Sequence, residues 1–233
     1  MPQHIGIVAC SAEGAALGYR TVCLEGAQLL GPFDHPEVSL HNHPLAAYMR
    51  CIDRDDWPGV AELMLSSAHK LARAGADFLI CPDNTIHQAL PWVLRRSPLP
   101  WLHIAEVVAA EATARGFRTL GITGTRYLVD SEVYPEKLAA QGLGFQRPNA
   151  AERAEINRII FEELVCGVLR PEAAAYLQGV FARMRAEGCD AVILGCTELP
   201  LIMDDANSPL PTLDSTRLLS RAALRRATQR TGS

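Results

Sequence analysis

Two distant stretches of the 233-residue chain lie against each other without a gap. Gly75-Ala76-Asp77-Phe78-Leu79-Ile80-Cys81-Pro82-Asp83-Asn84-Thr85 matches Gly188-Cys189-Asp190-Ala191-Val192-Ile193-Leu194-Gly195-Cys196-Thr197-Glu198. In this register Gly75 falls on Gly188, Asp77 on Asp190 and Asp83 on Cys196. Each copy has a short apolar run that stops and then presents a reactive side chain, the pattern of a buried parallel strand delivering chemistry to its carboxyl end. Open α/β sheets bind and react at that end. The chain therefore reads as two copies of one unit, each ending a strand in an acid/base group.

The rest of the chain fits this frame. His4-Ile5-Gly6-Ile7-Val8-Ala9 reads as a strand, Cys10 to Gly14 as a small-residue turn and Ala15 to Leu30 as a helix. Val38 to Pro44 is a second strand ending in His41-Asn42-His43. Trp57 to Ala74 carries apolar residues at helical spacing and leads into Phe78–Cys81. A strand at Trp101–Ile104 and a helix from Glu106 to Arg115 follow. The pattern then restarts at Thr119-Leu120-Gly121-Ile122-Thr123. A helix is expected over Val129–Gln141, another over Glu152–Cys166 and a third over Pro171–Glu187, with Leu210–Asp214 closing the sheets before a last helix, Ser215–Thr228. Strand, helix and strand in succession imply parallel sheets. The expected fold class is α/β: two pseudo-symmetric Rossmann-like domains, each a mostly parallel sheet flanked by helices. The expected division is 1–110 with 213–233, and 111–212.

Composition excludes several classes. A chain with 48% hydrophobic and 21% charged residues buries a substantial core. Its net charge of −4 gives no basic field for nucleic acid, and Arg217, Arg221, Arg225, Arg226 and Arg230 read as the wet face of the last helix. No apolar run reaches the ~18 residues of a membrane span, and the start does not resemble a signal peptide, so a cytoplasmic protein is expected. Seven cysteines at irregular spacing, without a C-x-x-C pair, suit neither a disulfide framework nor a metal site; most read as small buried hydrophobes. His41 and His43 lack a third ligand at matching spacing.

The ordered set Ile5-Gly6-Ile7-Val8, Asn84-Thr85-Ile86-His87, Gly124-Thr125-Arg126-Tyr127, Ile156 to Leu164 and Gly195-Cys196-Thr197-Glu198 resembles the aspartate/glutamate racemase family over essentially the whole chain. The resemblance implies an amino-acid racemase that uses no cofactor and no pyridoxal phosphate. It also implies a homodimer, with the active site in the cleft between the domains and one acid/base group on each side of the substrate α-carbon. The second group matches Cys196. The usual first cysteine, directly before Asn-Thr, is replaced by Asp83, and Cys81 stands two residues earlier, either on the same face or turned away by Pro82. By the same resemblance Asn84, Thr85 and Thr197 hold the substrate carboxylate, helped by Ser11 in the first turn; His41, in the polar end of the second strand, is a further candidate for substrate binding. The expected partner is thus a small amino acid or other carboxylate. His87 and His103 read as structural.

Aspartate and cysteine are unequal bases. Their reference pKa values, about 3.9 and about 8.5, differ by about 4.6 units, or about 6 kcal/mol. A low-dielectric site raises an aspartate by about 3–5 units, enough to let the pair pass protons both ways. Uncorrected, the pair suits a related decarboxylase, lyase or isomerase with Cys196 alone as proton donor; a non-catalytic binding protein of this fold is the third alternative. Basic groups usual in the family for a side-chain carboxylate are replaced by His41, Asn42 and His43 and by Glu155, whose negative charge would repel an acidic side chain or pair with an amine.

Overall fold

The structure, a computed structural model, describes residues 2–229; Arg230 of the terminal arginine cluster lies outside them. The described residues divide into two compact units: residues up to Ile104 together with those from Thr216 onward, and Ala105–Ser215.

In the first unit β1 (Ile5–Ala9) is followed by α1 (Ala12–Leu30), β2 (Val38–Asn42), α2 (Leu45–Ile52), α3 (Trp57–Arg73) and β3 (Phe78–Ile80). The three strands form a parallel sheet in the order β2-β1-β3, with Ile7 level with both Leu40 and Ile80. All five residues of β1 are buried, as a central strand covered on both faces requires, whereas edge strand β2 is half exposed. Beyond β3 come a 3-10 turn over Thr85–Ala89 and α4 (Leu90–Leu94). Trp101 makes one parallel bridge to Leu79, so the strand expected at Trp101–Ile104 shrinks to that contact, and α5 (Ile104–Ala114) begins at its last residue.

The second unit repeats the plan. Its strands β4 (Thr119–Thr123), β5 (Gly144–Gln146), β6 (Ala191–Leu194) and β7 (Thr212–Asp214) form a parallel sheet in the order β5-β4-β6-β7. Two short helices, α6 (Arg126–Val129) and α7 (Pro135–Ala139), replace the single helix expected over Val129–Gln141, because Pro135 starts a fresh helix. α8 (Ala150–Arg158) opens on a capping box between Asn149 and Glu152 and widens into a π turn over Ile159–Glu163 and a 3-10 turn to Cys166, so the helix expected from Glu152 to Cys166 is three geometries in series. α9 (Pro171–Ala186) leads into β6. After β7, α10 (Ser215–Thr228) belongs to the first unit from Thr216 onward: Arg221 pairs with Glu25 at 2.8 Å and the Arg226 guanidinium lies 4.4 Å from the Phe78 ring. Those two arginines are thus spent inside the first unit.

The repeat has a physical basis. Gly75 and Gly188, at φ +92° and +101°, end α3 and α9 in the left-handed conformation that side chains disfavour. Two residues on, Asp77 accepts the backbone N–H of His4 at 2.7 Å and Asp190 accepts that of Arg118 at 2.7 Å. Each carboxylate thereby ties the start of its own strand to the segment entering the neighbouring one. Among the described residues no helix is long and apolar enough to cross a membrane.

Candidate active site

At the end of β3 in the first unit, Cys81 is fully buried and Asp83 half-buried. Burial, and after it the charge of Asp83, push the Cys81 thiol well above its ordinary range. Cys81 therefore stays a neutral thiol, with its S–H toward the Asp83 carbonyl at 3.9 Å. Asp83 Oδ1 accepts the N–H of Ile86 at 3.3 Å. The backbone after Asp83 is clamped by His87: its Nδ1 lies 2.7 Å from the Asp83 carbonyl and its Nε2 accepts the N–H of Ile104 at 3.2 Å. These contacts require the neutral Nδ1–H tautomer, a structural role for His87. Asn84 is buried and Thr85 half-buried on the same turn.

The β1 register places Cys10 level with Asp83, since Ile7 pairs with Ile80. Cys10 is buried; its thiol is pushed well up by burial first, then by the charge of Asp83 and by Cys81, and it donates toward the Asp83 side chain. The expectation that Cys10 only packs is thus corrected. Ser11 caps α1, its Oγ accepting the N–H of Gly14 at 3.2 Å. Cys166 is exposed, and Cys23 and Cys51 are half exposed, against the expectation of small buried hydrophobes.

At the end of β6 in the second unit, Cys196 is half-buried and its Sγ lies 2.9 Å from Glu198 Oε2. The Thr197 hydroxyl donates to the same oxygen at 2.7 Å. Glu198 is only 6% exposed. A thiol and a hydroxyl converging on one buried carboxylate oxygen form a compact dyad, in which the carboxylate orients the S–H and can take its proton. The sequence motif contains Glu198, yet the sequence reading gives it no role; the signal for one is an acidic residue two positions beyond a strand-end cysteine. The Thr197 hydroxyl proton is committed to Glu198, so what Thr197 donates to a substrate carboxylate comes from elsewhere than that proton.

Two further expectations change. His41 has both ring nitrogens engaged, Nδ1 with Ser67 Oγ at 2.9 Å and Nε2 with Lys70 Nζ at 2.9 Å. Glu155 does not carry a bare charge. Arg158 holds it by hydrogen bonds at 2.7 to 3.1 Å and keeps its carboxyl below the usual range, because the planar guanidinium reaches both oxygens. Arg158 also reaches the buried Glu163 at 2.9 Å. Among the described residues no cluster of three His, Cys, Asp or Glu side chains is disposed to hold a metal ion.

Comparison with known proteins agrees with this architecture. The chain is 24% identical over 195 residues to the broad specificity amino-acid racemase RacX of Bacillus subtilis (strain 168), covering 82% of each. Among solved structures it is similar to an aspartate racemase homologue from Pyrococcus horikoshii OT3, with 28% identity, a TM-score of 0.86, and coverage of 98% of this chain and 100% of that one. It is also similar to an Asp/Glu racemase candidate from Yersinia pestis, with 27% identity, a TM-score of 0.91, and coverage of 97% of this chain and 100% of that one. The family model for Asp/Glu/Hydantoin racemases matches residues 15–223, and the chain belongs to that family.

Proposed function

We propose that this protein is a cofactor-independent amino-acid racemase in which Asp83 and Cys196 exchange the α-proton on opposite faces of one substrate. The observation that carries the reading is the Cys196–Glu198 contact at 2.9 Å, at the strand end that the repeat makes equivalent to Asp83. In one direction the Asp83 carboxylate removes the α-proton while the Cys196 thiol protonates the other face, leaving a carboxylic acid and a thiolate. In the other direction the roles reverse. Glu198 positions the Cys196 S–H and provides the carboxylate through which that thiol re-equilibrates with solvent. Cys10 and Cys81, held as neutral thiols by burial, are unsuited to be the first base, which favours the half-buried Asp83. Asn84, Thr85 and Ser11 are assigned to the substrate carboxylate.

The substrate side chain is not fixed by charge. Arg158 holds Glu155 but is shared with Glu162 and Glu163, so the cluster keeps a net negative charge, and the pairing weakens without removing both the repulsion of an acidic side chain and the attraction of an amine. The relative RacX, named for broad specificity, supports screening neutral, acidic and basic amino acids alike.

The test is proton NMR in D₂O with L- and D-amino acids and wild-type, Asp83→Asn and Cys196→Ser protein. Loss of the α-proton signal from both enantiomers of one amino acid, abolished by either substitution, is expected. A substrate turned over by Asp83→Asn protein but not by Cys196→Ser protein would replace the two-base reading with one-faced protonation by the Cys196–Glu198 dyad.

A further inference from the structure

In the second unit α8 stands beside α9 and runs toward the end of the sheet that carries Cys196. Near its start Glu152 accepts from Arg183 Nε at 2.6 Å, close to the end of α9. Near its own end the Asn157 side chain accepts the Arg126 N–H at 3.0 Å, just past β4. β4 ends level with β6, Thr123 against Leu194, so the segment after Asn157, the π turn over Ile159–Glu163, lies at the strand ends. Its Phe161 ring meets that of Tyr127 edge-on at 6.4 Å. Ile156, Ile159, Ile160 and Leu164 belong to one apolar core with Leu194 and Leu199, and Cys196 packs against that core.

The π turn shows in the Leu164 N–H, which reaches back five residues to the Ile159 carbonyl as well as four to that of Ile160. It resolves a conflict in the sequence. At about 100° per residue, an unbroken α-helix would put position 163 within about 20° of Ile156, in the middle of the face formed by Ile156, Ile159 and Ile160, and would turn Leu164 about 80° away to its edge. One residue in excess turns everything beyond it back by about 100°, so that Leu164 joins the core face and Glu163 leaves it for the side that carries Glu155 and Arg158. The structure has that arrangement. Leu164 lies in the core, and Arg158 reaches Glu163 at 2.9 Å, a spacing of five residues that an α-helix does not bring together. Glu163 is still buried, its Oε2 sealed from solvent without a hydrogen-bond partner and 3.9 Å from Arg170 Nε. A half-exposed arginine adds little stability through such a pair, and a buried carboxylate oxygen without a partner costs some, so stability does not account for it.

We propose that Glu163 is a positioning residue for Cys196: its charge, held by Arg158, keeps the helix in the π register, and that register sets the side chains against which Cys196 packs. The inference rests on the role of Cys196 in the racemase reading above. Glu163 acts through Ile159, Ile160 and Leu164, so it governs where the Cys196 turn stands. The Cys196–Glu198 contact, made within that turn, moves with it as a unit.

The experiment compares wild-type, Glu163→Leu and Glu163→Gln proteins as full chains labelled for NMR. Leucine suits position 163 of an unbroken α-helix, whereas glutamine keeps a polar group for Arg158 to hold. The scalar coupling across the hydrogen bond from Leu164 N to the Ile159 carbonyl carbon reports the register, and the Cys196 resonance, identified by its loss in Cys196→Ser protein, reports the packing. In Glu163→Leu protein the coupling is expected to vanish and the Cys196 resonance to move, and in Glu163→Gln protein both are expected to match wild type. Glu163→Leu protein is expected to melt no lower than wild type, because a buried charge gives way to an apolar side chain. Its kcat for α-proton exchange is nonetheless expected to fall about tenfold to a hundredfold at unchanged KM, the mark of a displaced acid/base group. A coupling that persists in Glu163→Leu protein, a Cys196 resonance that stays in place, or a kcat within about twofold of wild type overturns the proposal. Failure of the racemase reading looks different: both NMR signals respond as expected while no amino acid loses its α-proton in wild-type protein. If Glu163→Leu protein does not fold, Glu163→Met, whose pliable side chain fits the same position, decides in its place.

Discussion

Gly195→Ala puts a single methyl group where the second sheet has no room. A Cβ built on Gly195 falls 2.4 Å from Leu128 Cδ2 and 2.5 Å from the Thr123 carbonyl oxygen. The leucine end has rotamers to move through, although Leu128 is buried on α6. The carbonyl has none, because it belongs to β4 and accepts the Gly195 N–H at 2.9 Å. An ordinary contact therefore needs β4 and the end of β6 to part by the better part of an ångström, at the peptide that carries Cys196. Overpacking of this kind costs about 1–3 kcal/mol and the weakened buried hydrogen bond about 0.5–1.5 kcal/mol, together about 2–4 kcal/mol. At about 2–4 °C per kcal/mol for a chain of this length, Tm is expected to fall by about 5–15 °C by circular dichroism. A shift of about 1 Å at the thiol costs about a hundredfold in rate, so α-proton exchange is expected to fall at least that far at temperatures where the variant is folded. Leu128→Ala in the same chain separates the two clashes. If the double variant melts no lower than Leu128→Ala alone, the carbonyl contact carries no strain and the reasoning is refuted. It is refuted equally if Gly195→Ala protein melts within a degree of wild type.

The opposite result is expected at Gly179, exposed in the middle of α9 with open space around its missing Cβ. Gly179→Ala should stabilise by about 0.5–1 kcal/mol, read as a higher urea midpoint at constant m-value, and an unchanged midpoint would remove helix propensity as the governing term there. The histidine pair gives a pH dependence. Burial first, then Lys70, depress both His41 and His43, with His43 a further cause for His41. Their folded-state values lie below the unfolded value near 6.5, so the unfolded chain binds more protons. The stability they permit is present above pH ~6.5 and is lost as pH falls through the folded values. Wild-type Tm should drop between pH 7 and 5 more steeply than that of a His41→Gln/His43→Gln double variant, and parallel curves would show that the pair is not what titrates.

Much of the fold was legible because the two copies repeat chemistry and not only hydrophobicity. Gly75 and Gly188 mark the same helix end, and Asp77 and Asp190 tie the same strand starts, so one alignment located β3 and β6 and the side chains at their ends. Where the reading failed, a local rule was overridden by a neighbour. Pro135 broke the helix expected over Val129–Gln141, and the segment at Trp101 gained only one bridge instead of a strand. At the site, strand ends are legible from sequence, but the partners that set their chemistry come from elsewhere. Cys10 meets Asp83 through the register of β1 against β3, and Lys70 meets His41 only because α3 packs along β2. Glu155 looked like a charge available to substrate until Arg158, one helical turn on, claimed it.

The two strand ends also differ in a way the repeat conceals. Cys196 has its carboxylate partner two residues away on its own turn, so the thiol–carboxylate dyad forms within one turn and survives any change that spares that turn. Asp83 takes the Ile86 N–H from its own turn, but its surroundings are drawn from further off. Its thiol neighbours come from β1 and from the β3 end. An acid/base group assembled from several elements responds to packing changes across the unit, whereas one assembled locally does not. If Asp83 and Cys196 are the two acid/base groups, core substitutions in the first unit should move the acidic limb of the pH–rate profile more than equally destabilising substitutions in the second. An equal response from both units would mean that Asp83, like Cys196, is tuned by its own turn.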